Sequence, residues 1–195
     1  MAAIVKMRKG DYTNTLAVEN VIHYITRTRS CDTDNQAFVF GGLGVDEYDP
    51  GMMCQQFRQV QSIYQKENHG VRVMHEVITF LPFEIIDING INRIREIAYK
   101  FASIYYLSGF QVVYAVHTDS NNTHIHYAVN ATNFIDGYKF NYKLPELEHR
   151  REYLNRVMQE CLGRVPALQW IDDIGWAPRY YNELCESCEH SGFLI

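Results

Sequence analysis

Residues 110–130 constrain the fold more than any other part of the sequence. Two runs rich in β-branched and aromatic residues, 110–116 and 127–130, flank a segment with a polar cluster at 119–122. Aspartate, serine and asparagine favour turns, whereas β-branched and aromatic residues favour strands. The pattern therefore predicts an antiparallel β-hairpin, and the polar cluster forms its turn.

Three of the eight histidines of the chain lie in this hairpin. Side chains alternate between the two faces of a strand, so His124 and His126 share a face and Ile125 points into the core. His117 lies at the end of the partner strand, across the turn, within reach of the same face. Three imidazoles from two rigid strands, with an open position, are typical of a catalytic metal site. A histidine-rich polar edge hairpin is the alternative interpretation.

The hairpin also carries a recognisable motif. His117-x-Asp119-x-x-x-x-His124-Ile-His126-x-x-x-Asn130 resembles the histidine motif of plasmid and integrative-element relaxases, which are mobilisation nucleases of the HUH endonuclease superfamily. The likeness is greatest to the Mob-type group with a single tyrosine. It covers roughly residues 1–143, and the histidine motif is its most specific part.

The N-terminal region resembles the first motif of the same family. Residues 7–11 and 21–26 match it, and Tyr24 corresponds to the tyrosine that acts as nucleophile. A helix that is capped by Thr13 or Asn14 and runs to about Thr28 is predicted here, with Tyr24 on the flank of its apolar stripe. In relaxases the tyrosine motif precedes the histidine motif along the sequence, as it does here. A boundary tyrosine without a chemical role is the alternative.

The resemblance implies an α+β fold with a central antiparallel β-sheet flanked by helices, in the palm-type topology of HUH relaxases. We expect a relaxase nuclease domain over residues 1–165. Residues 166–195 are expected to form an aromatic and acidic tail that either packs on this domain or is flexible. The length of 195 residues suits one well-buried domain.

The implied function is metal-dependent, site- and strand-specific nicking and rejoining of DNA at an origin of transfer, which initiates conjugative mobilisation. Tyr24 attacks the phosphorus and forms a 5′-phosphotyrosine, while the cation held by the histidines stabilises the developing charge. Asp119 either orients a histidine or takes the tyrosine proton, and we favour the orienting role. Three further side chains are candidates to support the histidines: His75, Glu76 and Asn130.

Charge bears on the DNA partner. The net charge of −5 argues mildly against DNA binding, but residues 1–30 hold five cationic and two acidic side chains, whereas residues 171–195 hold one and five. A binding groove needs only local positive potential. The candidate DNA-binding residues are Lys6, Arg8, Lys9, Arg27 and Arg29.

The resemblance implies a bacterial cytoplasm, and the composition agrees with a cytosolic location. Five scattered cysteines, an odd number, argue for a reducing compartment, and no run has the apolar length needed to span a membrane. Cys185 and Cys188, with His190, have a partial zinc or redox spacing, for which ordinary free thiols are the favoured interpretation. Relaxases of this group usually continue into a longer C-terminal region.

The cation and the partners follow from the same reasoning. Imidazole ligands favour Mn²⁺ or Zn²⁺ over Mg²⁺, whereas the resemblance implies Mg²⁺ or Mn²⁺. Single-stranded DNA at the origin of transfer is the expected partner, with accessory DNA-binding proteins and a secretion coupling protein as further candidates. Two alternatives stay open: a metal-dependent hydrolytic nuclease with a water nucleophile, and a non-catalytic DNA-binding or metal-storage module.

Overall fold

The computed structural model describes residues 2–7, 12–28, 39–80, 88–118, 123–140, 144–163 and 167–171. These residues form six strands and four helices. In chain order the elements are β1 (Ala2–Met7), α1 (Ala17–Thr26), β2 (Val39–Leu43), α2 (Pro50–Ile63), β3 (Val73–Phe80), α3 (Ile88–Leu107), β4 (Val112–His117), β5 (His124–Asn130), α4 (Leu144–Leu162) and β6 (Ala167–Ile171).

The strands form one sheet in the order β2-β4-β5-β3-β1-β6. Five strands pair antiparallel, which confirms the α+β fold with a central antiparallel sheet. The predicted hairpin is β4–β5, and His117 pairs directly with His124. The sixth strand was not predicted: residues 167–171, which we had placed in the tail, pair parallel with β1.

Helices cover both faces of the sheet. On one face, α3 and α4 bury an apolar cluster that includes Phe101, Ile125 and Leu154. On the other face, α1 and α2 bury a cluster that includes Ile22 and Phe57. Because strand side chains alternate, Ile125 faces α3 and α4 while its neighbours in sequence face α1. The histidines therefore lie between the sheet and α1.

Local signals explain most helix boundaries. The Asp49 side chain accepts hydrogen bonds from the backbone N–H groups of Gly51 and Met52, as expected of an N-cap before a proline. Gly109, with φ +86°, follows the end of α3. The predicted cap of α1 was wrong. The helix begins after Leu16, and Asn14 instead accepts a hydrogen bond from the Leu16 N–H.

The Asp-Gly turn at residues 136–137 is less regular than a tight hairpin. Among the described residues it carries a single bridge, between Thr132 and Lys139. No described helix is long and apolar enough to cross a membrane.

Candidate metal centre and nucleophile

The three motif histidines converge at the turn end of the β4–β5 hairpin. Their potential ligand nitrogens all lie within 4.8 Å of one another. The ring centroids are separated by 4.5 Å for His117 and His126, 4.8 Å for His124 and His126, and 5.1 Å for His117 and His124. Direct pairing of His117 with His124, and the two-residue repeat of β5, account for this convergence.

The donor set suits a divalent transition metal. All three histidines are buried, with 2% to 8% of their surface exposed. Neutral imidazole nitrogens bind such cations at about 2.1 Å, which requires nitrogen–nitrogen separations of roughly 3 to 3.5 Å. The residues present therefore fit a cation, as the sequence predicted.

Tyr24 lies against this cluster. Its ring centroid is 5.5 Å from that of His126 and 5.8 Å from that of His75, with an edge-on arrangement in both cases. The side chain is half-buried in the last turn of α1. Packing of the apolar stripe of α1 on the histidine face brings the predicted nucleophile to the predicted metal ligands.

His75 supports the cluster from β3. Its Nε2 atom lies 2.9 Å from Nδ1 of His126, and its Nδ1 atom lies 3.4 Å from the hydroxyl of Tyr12. His75 is therefore at the site, as one of the three supporting candidates. Tyr12 was missed, because an aromatic residue before a helix carries no signal that distinguishes it from packing.

Arg27 reaches the opposite side of the cluster. Its Nη2 atom lies 3.1 Å from Nδ1 of His117, and Nε2 of His117 lies 2.6 Å from the backbone oxygen of Ile25. Charge alone predicts Arg27 as a DNA-binding residue. The structure places its guanidinium beside a predicted metal ligand.

Two supporting candidates lie elsewhere. The Glu76 side chain faces α3 and α4, where it pairs with Arg150 and accepts a hydrogen bond from Tyr105. Burial raises the pKa of Glu76, and the Arg150 guanidinium acts in the opposite direction. The structure does not bring Glu76 to the histidines, because alternation along β3 gives that face to His75.

Asn130 shares the face of the histidines but lies at the far end of β5. Its side chain accepts a hydrogen bond from Gln61 and donates to Gln111 and to the backbone oxygen of Phe57. These contacts join β5 to α2 and to the residue before β4, and none of them involves a motif histidine.

Other predicted positions lie outside the described residues. They are Asp119, Arg8, Lys9, Arg29, Cys185 and Cys188, together with the side chain of Lys6.

The relaxase family model described as MobA/VirD2-like, nuclease domain, matches residues 24–161. A comparison with curated proteins found no match. The Mn-bound structure of the MobM relaxase domain with plasmid pMV158 oriT DNA shares the fold, with a TM-score of 0.61 and 17% identity over 95% of this chain and 100% of that one. A structure on the molecular basis of vancomycin resistance transfer in Staphylococcus aureus matches with a TM-score of 0.57 and 14% identity, over 88% and 100%.

A histidine cluster on a central antiparallel sheet, with a tyrosine presented by the first helix, defines the class as a nuclease of the relaxase type. Since the family model spans most of the chain, the protein belongs to the MobA/VirD2-like relaxases and is a DNA-cleaving enzyme. At the low identities above, the structural likeness concerns the fold.

Proposed function

We propose that the chain nicks and rejoins one strand at an origin of transfer, with Tyr24 as the nucleophile and His117, His124 and His126 as the ligands of a divalent cation. The position of the Tyr24 ring, 5.5 Å from the His126 ring, carries this proposal. A nucleophile and a phosphate-binding cation act on the same phosphorus only if their residues are adjacent.

The bound cation supplies Lewis acidity toward the scissile phosphate and stabilises the charge that develops on its oxygens. The Tyr24 hydroxyl oxygen forms a bond to phosphorus, and the bond from phosphorus to the 3′ oxygen breaks. The phosphate stays on the tyrosine as a 5′-phosphotyrosine, while the 3′ oxygen takes a proton. The covalent link retains the phosphodiester energy, so attack by a 3′-hydroxyl rejoins the strand and restores Tyr24.

Attack by the Tyr24 oxygen releases the phenol proton, which needs an acceptor. Asp119, two residues after His117 in the sequence, is the carboxylate candidate, and its favoured role is to orient a histidine. The rings of His75 and His126 both contact Tyr24. These contacts support a role for the two imidazoles in holding the phenol in place, in addition to metal binding by His126.

Single-stranded DNA at an origin of transfer is the proposed substrate, and Mn²⁺ is the proposed cation. The MobM relaxase domain was crystallised with both oriT DNA and Mn. Imidazole ligands also favour Mn²⁺ over Mg²⁺. Accessory DNA-binding proteins and a secretion coupling protein are proposed partners, and the cytoplasm of a bacterium is the proposed location.

The test is a covalent-adduct assay. A fluorescent single-stranded oligonucleotide from the element's own origin region is incubated with the protein and Mn²⁺ and run on a denaturing protein gel. We expect a labelled band at the protein mass that is lost with chelator and in Tyr24→Phe. Tyr99→Phe, at an exposed position on α3, is the matched control and should keep the band.

Cleavage without a labelled protein band would contradict the tyrosine mechanism and support a water nucleophile. A labelled band that persists in Tyr24→Phe would transfer the role to another side chain. If no origin strand is cleaved, the remaining hypothesis is a non-catalytic DNA-binding module.

A further inference from the structure

Arg27 occupies an unusual backbone position. It caps the C-terminus of α1 in the left-handed conformation, with φ 56° and ψ 26°, and its N–H bonds to the backbone oxygen of Tyr24. This conformation is disfavoured for residues with a Cβ, and helices usually place glycine in it. Gln65, just after α2, also has a positive φ, so the backbone alone does not single out Arg27. The contact of its guanidinium with His117 is what places the Arg27 side chain at the site.

The hydrogen-bond partners of His117 indicate which of its two ring nitrogens carries the proton. A guanidinium only donates hydrogen bonds, so Nδ1 of His117 accepts from Arg27. A carbonyl oxygen only accepts, so Nε2 of His117 donates to Ile25. The hydrogen-bonding geometry thus assigns the proton to Nε2 and the lone pair to Nδ1.

We propose that Arg27 and the divalent cation compete for Nδ1 of His117, and that the displaced guanidinium binds a phosphate of the DNA strand. This inference rests on the proposed function. A metal bond needs the same lone pair that Arg27 now occupies, and the permanent positive charge of arginine repels a cation at this distance.

The geometry of α1 makes the second half of the exchange possible. The Arg27 guanidinium lies 3.1 Å from His117, whose ring is 4.5 Å from that of His126. The Tyr24 ring is 5.5 Å from the His126 ring on the same cluster. A strand phosphate held by the cation for attack by Tyr24 would therefore lie beside the guanidinium. The planar guanidinium binds two phosphate oxygens at once, which compensates for the lost bond to His117.

The first test measures Mn²⁺ binding without DNA, by isothermal titration calorimetry. Removal of a positive charge next to a ligand should raise the affinity, and we expect Arg27→Gln to bind Mn²⁺ on the order of tenfold tighter than the wild type. Arg27→Gly should do the same and keep the fold, because glycine suits this backbone conformation.

Arg58→Gln is the matched control. It removes one guanidinium from α2, where Arg58 pairs with Glu19 of α1, and it should leave Mn²⁺ affinity unchanged. Equal affinity in Arg27→Gln and the wild type, or an equal gain in Arg58→Gln, would overturn the competition. If the wild type binds no Mn²⁺, or His117→Ala binds it as well as the wild type does, the proposed metal site itself fails.

The second test separates this exchange from an ordinary phosphate contact. The salt dependence of binding to a fluorescein-labelled oligothymidylate is compared between the wild type and Arg27→Gln, with Mn²⁺ and with chelator. One lost phosphate contact lowers the slope of log K against log salt by about 0.7 for single strands. We expect this loss only with Mn²⁺, and an equal loss in both conditions would contradict the exchange.

Discussion

The Nε2 atom of His75 lies 2.9 Å from Nδ1 of His126, and both rings are buried. In the sheet, His126 pairs with Val77, so His75 is its diagonal neighbour on the adjacent strand. A hydrogen bond at Nδ1 determines which nitrogen of His126 is directed to a cation, namely Nε2. His75 thus positions a metal ligand, and its ring also contacts Tyr24.

We therefore expect His75→Ala to weaken Mn²⁺ binding by about 10- to 100-fold, the usual effect of losing a partner that orients a metal-bound histidine. His75→Gln should recover part of the affinity, because its amide reaches the position of Nε2. Isothermal titration calorimetry measures both variants. Wild-type affinity in His75→Ala would show that His126 does not need this partner.

Asn130 offers a comparison on the same face of the sheet. Its hydrogen bonds to Gln61, Gln111 and Phe57 are buried. Truncation of the side chain removes the hydrogen bonds that these three groups make with it. Asn130→Ala should lower the free energy of unfolding by about 2 to 4 kcal/mol, measured by urea denaturation. Mn²⁺ affinity of the folded variant should stay at the wild-type value. A loss of metal binding without a loss of stability would assign Asn130 to the metal site.

Much of the site follows from local periodicity. The alternation of residues along 124–130 predicts two histidines on one face, and the polar cluster between the two runs predicts a turn that brings His117 opposite them, as the pairing of His117 with His124 confirms. The apolar stripe of α1 likewise determines that Tyr24 lies at the edge of the buried surface. These expectations need no knowledge of the remaining chain, which is why the structure agrees with them.

Other features depend on contacts between distant segments. The sequence predicts that His75 and Glu76 lie on opposite faces of β3. Only the register between β3 and β5 decides which of the two shares a face with His124 and His126. The contact of Arg27 with His117 depends on how α1 docks on the sheet and on a left-handed residue that has no glycine signal. The parallel pairing of β6 with β1 joins the two ends of the described chain.

Glu76 and Arg150 form a buried ion pair on the other face of the sheet, with 1% and 6% of their side chains exposed. Removal of one partner from such a pair leaves a buried charge and costs about 3 to 5 kcal/mol. We expect this loss of stability in Arg150→Met, measured by urea denaturation. The double variant with Glu76→Gln should be less destabilised than Arg150→Met alone.

Mn²⁺ affinity should not change in either variant, because the pair lies on the face opposite to the histidines. A double variant less stable than Arg150→Met would mean that the charge of Glu76 is compensated by another group.

Lys139 gives the stability a distinct pH dependence. Burial, and then the charges of Arg72 and Lys66, lower the pKa of Lys139 from 10.5 to about 8. Between pH 8 and 10.5 the unfolded chain binds more protons than the folded chain, so the free energy of unfolding rises with pH in this window. Below pH 8 the charged lysine is a constant cost. Converted in full, the pKa shift corresponds to about 3 kcal/mol of unfolding free energy. Because this half-buried group is screened by solvent, we expect an effect of about 1 kcal/mol.

Lys139→Met should therefore be more stable than the wild type by about 1 kcal/mol at pH 7, even without the hydrogen bond that Lys139 donates to Val71. The difference should shrink as the pH rises from 8 toward 10.5, since the wild type then becomes neutral at this position. Urea denaturation at pH 7 and at pH 10 measures the change. Lys100→Met is the control, because Glu96 and Glu160 raise the pKa of Lys100 and keep it charged at both values. A Lys139→Met advantage that grew with pH would reverse the sign of the argument and show that burial does not disfavour the charge of Lys139.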